Sequence, residues 1–150
     1  MSNYIHASTS RPPIKINTTE QEEAGSQLKL GEFQHTPTLS LSEARIVIDA
    51  ILDTRAKQGK RHADTEVLSK MQDYLDTFAR FKRKETATEV GEILDAHSAF
   101  EPFEKSQLAS LCCENYDEAK TLVPSIQNKI GDAELSELLA QISNRRNFVD

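Results

Sequence analysis

The sequence has no tryptophan, only two cysteines and two methionines, and only five glycines and five prolines in 150 residues. Two thiols cannot build a disulfide framework, so covalent cross-links are not what holds this chain together, and a reducing environment suits it. No apolar run exceeds three residues, as in Ile46–Ile48, whereas a membrane-crossing helix needs about 20. The amino terminus, MSNYIHASTSRPPIKI, lacks both a basic start and an apolar h-region, so no secretory signal is expected and the chain reads as intracellular. A strongly basic balance is also missing. The formal net charge is −6 with a pI of about 5.3, and residues 99–150 carry nine acidic against five basic side chains. A non-specific nucleic-acid binder normally shows the opposite balance.

Motifs of common enzyme classes are missing as well: there is no P-loop, GxSxG, GxGxxG or HExxH pattern,. Cys112 and Cys113 are adjacent and so point apart, and no second Cys or His pair follows. A tetrahedral zinc site is therefore not expected. The neighbouring Glu114, Asp117 and Glu118 would raise a thiol pKa rather than activate a nucleophile. The cysteines read as small buried thiols at a helix end, and the carboxylates as first-turn caps, with Asn115 or Asp117 as the capping residue. No catalytic residue, metal ligand or cofactor is assigned.

What is present is mostly helical. Residues 1–26 are rich in Ser, Thr, Asn, Gln and Glu and read as a flexible tail, because so few apolar groups cannot offset the ordering entropy. Residues 27–37 open with QLKLGEF, whose polar and apolar residues alternate like a strand with no second strand to pair with; a short extended linker with two incidental leucines fits the pattern equally well,. From Thr38 onward, helical periodicity takes over to residue 150.

Ser40 and Glu43 form a capping box, and Gly59 supplies a stop. Between them Leu41, Ala44, Ile48, Ile51 and Leu52 line one face, while Ile46, Val47 and Ala50 project off it. The polar strip is narrow (Ser42, Arg45, Asp49, Asp53), a pattern that fits a helix sandwiched between two surfaces. A second helix over about 65–81 gathers Val67, Leu68, Met71, Tyr74, Leu75, Phe78 and Phe81 in one arc, which predicts one buried face and one wet one. Thr86 and Glu89 suggest a further capping box. Pro102 suits the first turn of a helix over 103–111, Pro124 ends another over 117–123, and a last helix spans 132–143. The expected fold is all-α, made of short antiparallel helices. Arg80, Lys82, Arg83 and Lys84 form a basic run that suits a helix carboxyl end. It is also a candidate for weak RNA contact, although Tyr74 and Phe78 read as core rather than as a stacking platform.

QLKLGEF, LSLSEARIVIDAILDTRAKQ, YLDTFARFK, FEKSQLASLCCENYDEAKTLVPSIQNKI and ELSELLAQISNRRNF resemble, in the same order, the fourth-subunit family of eukaryotic RNA polymerase II. The resemblance covers roughly residues 27–148 and is collinear. It implies a non-catalytic subunit with a helical body over 38–150, divided into helices over 38–98 and an HRDC-like carboxy-terminal unit over 99–150. It implies pairing with the seventh subunit, which carries an OB-fold, in a stalk near the RNA exit path of the polymerase II core, with roles in initiation and in meeting nascent RNA and transcript-processing factors. Localisation would be nuclear, with shuttling to the cytoplasm. With such a partner, the orphan strand and the two-sided helix both find a purpose: Leu28, Leu30 and Phe33 would dock extended, and Ile46, Val47 and Ala50 would pack on the partner. Two other readings are the equivalent stalk subunit of RNA polymerase III, which matches FARFK and DEAKTLVPS less well, and a free-standing HRDC-type nucleic-acid module, whose basic face is missing.

Overall fold

The computed structural model describes residues 21–60 and 65–147. Most of the segment expected to be a flexible tail, residues 1–20, lies outside the described residues. Among those described, the chain forms a two-stranded hairpin and six α-helices. No helix there is long and apolar enough to cross a membrane. The all-α expectation holds, with short helices making up the body.

One local expectation is overturned. The segment QLKLGEF does have a strand to pair with: β2 (Leu28–Lys29) lies antiparallel to β1 (Glu23–Ala24), with Glu23 opposite Lys29 and Ala24 opposite Leu28. A two-residue strand is too short to show any alternation, so β1 was invisible within the polar tail. Gly31 follows at φ +56° and opens a 3-10 turn through Phe33, a conformation that favours glycine.

Helix α1 (Leu41–Lys57) begins at the expected capping box. The Ser40 hydroxyl accepts from the Glu43 amide at 3.3 Å, and the Glu43 carboxylate accepts from the Ser40 amide at 2.8 Å. It ends in a Schellman arrangement: Lys60 N–H donates to the Arg55 carbonyl and Gly59 N–H to that of Ala56, with Gly59 at φ +69°,. Helix α2 (Glu66–Phe78) is capped by the Thr65 hydroxyl, which accepts from the Leu68 amide.

Helix α3 (Lys84–Asp95) starts two residues before the expected Thr86 and Glu89 box. Thr86 is buried in its first turn, and Glu89 meets Arg145 across the bundle at 3.1 Å instead of turning back to cap. Helix α4 (Pro102–Leu111) has its proline in the first turn, and α5 (Tyr116–Leu122) runs into a 3-10 turn at Pro124–Ile126. Helix α6 (Asp132–Asn147) continues one turn past the expected end.

The core lies where α3, α4, α5 and α6 meet. Val90, Leu94, Leu108, Ile126, Leu135, Leu138, Leu139 and Ile142 are almost fully buried there, each such side chain contributing about 1.5–3 kcal/mol relative to exposure. The cluster draws on residues from both sides of position 98. Phe81 joins it from beyond the end of α2, because the chain turns extended at Ala79. Helix α1 lies against this body, with the buried Ser42 hydroxyl accepting from the Phe81 amide at 3.0 Å. Ser42 therefore belongs to the interior rather than to the exposed strip expected of it.

Candidate functional site

Helices α1 and α2 pack as an antiparallel pair. Arg45, near the start of α1, meets Asp76, near the end of α2, with Nε 2.6 Å from Oδ1. That ion pair marks one edge of the pair. Counting about 100° per residue, Val47 and Ile51 fall on the opposite edge of α1, and Met71 and Phe78 on the opposite edge of α2, with Val67 and Tyr74 beside them. Because the helices are antiparallel, these edges open on the same side.

The exposures agree with that geometry. Val47 is 43% and Ile51 46% exposed, Tyr74 52% and Phe78 47%, while Val67 and Met71 are also exposed. Of the arc expected to be buried, Leu75 and, past the end of α2, Phe81 are buried and Leu68 is half-buried. Helix α2 packs chiefly against α1, so only one margin of its apolar arc is covered. Two depressions lie on this surface: a shallow one lined by Val47, Ala50, Ile51, Thr54 and Arg55, and one of about 320 Å³ bounded by Leu39, Leu41, Tyr74, Phe78, Arg80 and Leu111 among others. Apolar side chains grouped this way on a small domain make this surface a candidate binding face.

The residues singled out in the sequence separate into groups. Val47 and Ala50 line one depression together. Ile46 instead packs partly buried against the core, and Ile51, expected to face the chain's own helices, looks outward. Leu28 and Leu30 are half-buried in and beside the hairpin, and Phe33 is 66% exposed. A strap over residues 34–40 ties that hairpin to α4. In it, Thr38 Oγ1 donates to the Pro102 carbonyl at 2.6 Å and His35 Nδ1 lies 3.3 Å from Glu101 Oε2. At its end the Leu41 amide donates to Ser110 Oγ at 3.1 Å.

The basic run sits at the α2 to α3 junction. Lys82 Nζ donates to the Asp76 carbonyl at 2.6 Å, satisfying a last-turn acceptor as its charge favours. Arg83 lies 3.6 Å from Glu85, Lys84 is the first residue of α3, and Arg80 shares the second depression with Tyr74 and Phe78. Those two rings stand 4.7 Å apart between centroids, tilted and half in solvent. They are not the core pair that the sequence pattern suggested. Sequence reasoning thus missed Ile51, Tyr74, Phe78, Val67, Met71 and Leu39 as surface; the available signal was an apolar supply on α1 and α2 together larger than one helix pair can bury.

The cysteines are structural. Cys112 ends α4 with φ 49° and its Sγ donates to the Ala109 carbonyl at 3.3 Å, while Cys113 is buried beside it. Burial pushes the Cys112 thiol up to about 11, with Arg146 and Arg80 pulling partly the other way. Burial also takes Cys113 to about 11, and the Glu118 charge adds to it. The acidic neighbourhood expected to raise a thiol pKa acts on Cys113, through Glu118, and there it is the lesser cause. Asn115 Oδ1 accepts from the Glu118 amide, and Glu118 Oε2 accepts from that of Glu114, both at 2.8 Å, so the acidic cluster serves the α5 amino end. Among the described residues no group of three or more His, Cys, Asp or Glu is placed to hold a metal ion.

Thiols that ionise near 9 when unfolded and near 11 when folded leave stability untouched below pH 9 and lower it as pH rises from 9 to 11. Over that window the unfolded chain is the one that releases protons, and stability falls by about 1.4 kcal/mol per thiol for each pH unit crossed. Urea midpoints measured from pH 8 to 11 should fall, and replacing both cysteines by alanine should flatten that fall.

The chain is similar to known proteins over most of its length. The model of the RNA polymerase Rpb4 family matches residues 38–146. The chain is 42% identical over 131 residues to "DNA-directed RNA polymerase II subunit rpb4" of Schizosaccharomyces pombe, a match covering 86% of this chain and 96% of that protein. It is 29% identical over 133 residues to "DNA-directed RNA polymerase II subunit 4" of Arabidopsis thaliana, covering 87% and 95%. With "DNA-directed RNA polymerase II subunit RPB4" of Saccharomyces cerevisiae it shares 46% identity over 77 residues, 51% of this chain and 34% of that protein.

Proposed function

This chain belongs to the RNA polymerase Rpb4 family, and on that premise we propose that it works in the nucleus as a subunit of RNA polymerase II, pairing with the OB-fold seventh subunit to build the stalk near the RNA exit path. Its role is architectural, in initiation and in presenting a surface to factors that follow the transcript, and no bond-making step is assigned to its residues. The observation that carries this reading is the unpartnered apolar surface across α1 and α2, with Val47, Ala50 and Ile51 at its centre. A chain of this size leaves such a face open when another chain covers it.

Leu28, Leu30 and Phe33 add the hairpin as a second docking element, presented by the strap on α4. Its two-residue strands leave open hydrogen-bonding edges that a partner strand can extend. In this reading the chain divides into helices over 38–98 and an HRDC-like unit over 99–150, with α1 and α2 as the docking helices and α3 contributing to the core that both parts share. Co-expression with the seventh subunit tests the pairing: a single complex on size exclusion is expected, and separate elution of the two chains refutes it.

Weak RNA contact by Arg80, Lys82, Arg83 and Lys84 gains support from the half-exposed Tyr74 and Phe78 beside Arg80, since cations next to open aromatic faces suit single-stranded RNA. Neutralising the four cations should lower crosslinking of the assembled complex to RNA; unchanged crosslinking removes this contact from the account.

A further inference from the structure

The strap over residues 34–40 carries the sole Ser/Thr-Pro pair in the sequence, Thr36-Pro37. Thr36 is exposed and lies in irregular backbone between the 3-10 turn and α1. A residue before proline is held extended by the pyrrolidine ring, the form in which a peptide enters a kinase cleft. Its hydroxyl makes one long contact, to the Glu32 carbonyl at 3.5 Å, and its amide donates to the Phe33 carbonyl at 3.2 Å, so these two bonds are what a kinase must displace. We propose that Thr36 is an acceptor for a proline-directed protein kinase, and that its phosphate loosens the strap from α4.

In the transfer, the γ-phosphoryl group of ATP passes to Thr36 Oγ1. The bond to the ADP oxygen breaks as the new P–O bond forms, and the hydroxyl proton goes to the base of the kinase. The product carries about −1.5 to −2 charges at neutral pH. Its surroundings are already acidic: Glu32 lies four residues back, and Glu101 is the contact that holds His35 next door. The amino end of α4, which would otherwise attract an anion, is occupied by Glu104, whose carboxylate accepts from the Glu101 amide at 2.7 Å. The cations on that side are engaged, Lys105 with Asp95 at 2.9 Å and Lys129 with Glu104 at 2.8 Å. A phosphate at Thr36 therefore adds negative charge beside Glu101 and competes with it for His35. Loss of the His35 contact leaves the Thr38 hydrogen bond to Pro102 as the strap's hold on the start of α4.

The test uses the full-length chain, ATP and a purified proline-directed Ser/Thr kinase, with the site located by mass spectrometry. The expected result is one phosphoryl group at Thr36. None should appear in Thr36→Ala, and Pro37→Ala, which keeps the hydroxyl, should take up far less. Amide hydrogen exchange over residues 35–41 should then speed up by about tenfold, with no change in the α6 amides. Absence of phosphate at Thr36 in the folded chain overturns the site. Phosphate at Thr36 with unchanged exchange over 35–41 overturns the release.

Discussion

Replacing Lys129 by methionine is expected to destabilise the chain by about 3 kcal/mol, the low end of the range for stripping one partner from a buried ion pair. Glu104 is fully buried on α4, and both its oxygens accept from Lys129 Nζ, at 2.9 and 2.8 Å. Without the ammonium, the Glu101 amide would be the remaining donor to that carboxylate. The low end applies because the Lys129 side chain is 30% exposed, so some water can approach the site. Glu104→Gln in the same chain removes the stranded charge while its carbonyl still accepts from the Glu101 amide. The double variant should therefore recover to within about 1–2 kcal/mol of the parent. Urea unfolding with unchanged slope measures both. A Lys129→Met midpoint equal to the parent's, or a double variant no better than the single, contradicts this assignment.

Val47→Asp with Ile51→Asp should abolish pairing with the seventh subunit while leaving the isolated chain folded. Both side chains are almost half exposed, so aspartate meets water in the free chain, and the stability change should stay within about 1 kcal/mol. In the complex the same carboxylates would be buried unpaired, at several kcal/mol each. At about 1.4 kcal/mol per tenfold, that corresponds to a loss of roughly a thousandfold or more in affinity. Ile46 is the contrasting position. It packs against the core, so Ile46→Asp should unfold the chain, and any loss of pairing in that variant would say nothing about the face. Co-expression with the seventh subunit, beside a melting curve of each variant alone, separates the two effects. A folded double variant that still pairs removes α1 from the docking surface.

These two sites differ in how far the sequence exposed them. The helices, the Ser40 and Glu43 box, the Gly59 stop and the Asn115 cap were legible because each depends on residues within four positions of one another. The outward Val47 and Ala50 were legible too, since a helix apolar on more than one side needs two surfaces. Glu104 was not. It reads as an ordinary first-turn carboxylate, and only the return of the chain 25 positions later brings Lys129 onto it. Nor was the fate of α2. Its apolar arc gave the right face, but periodicity reports which residues could be buried together, not whether the fold has a neighbour to bury them. Tyr74 and Phe78 stayed open because α2 finds mainly α1 beside it, while Phe81 reached the core only because the helix stops at Phe78 and the chain turns.

We propose that this chain serves as a stalk subunit of RNA polymerase II. Affinity capture of the tagged full-length chain from nuclear extract, at moderate and at high salt, with the bound chains identified by mass spectrometry, tests it most directly. The account predicts the OB-fold seventh subunit at both salts and the large polymerase II subunits at moderate salt. Recovery of polymerase III subunits in their place, or of no polymerase chain at either salt, would contradict it.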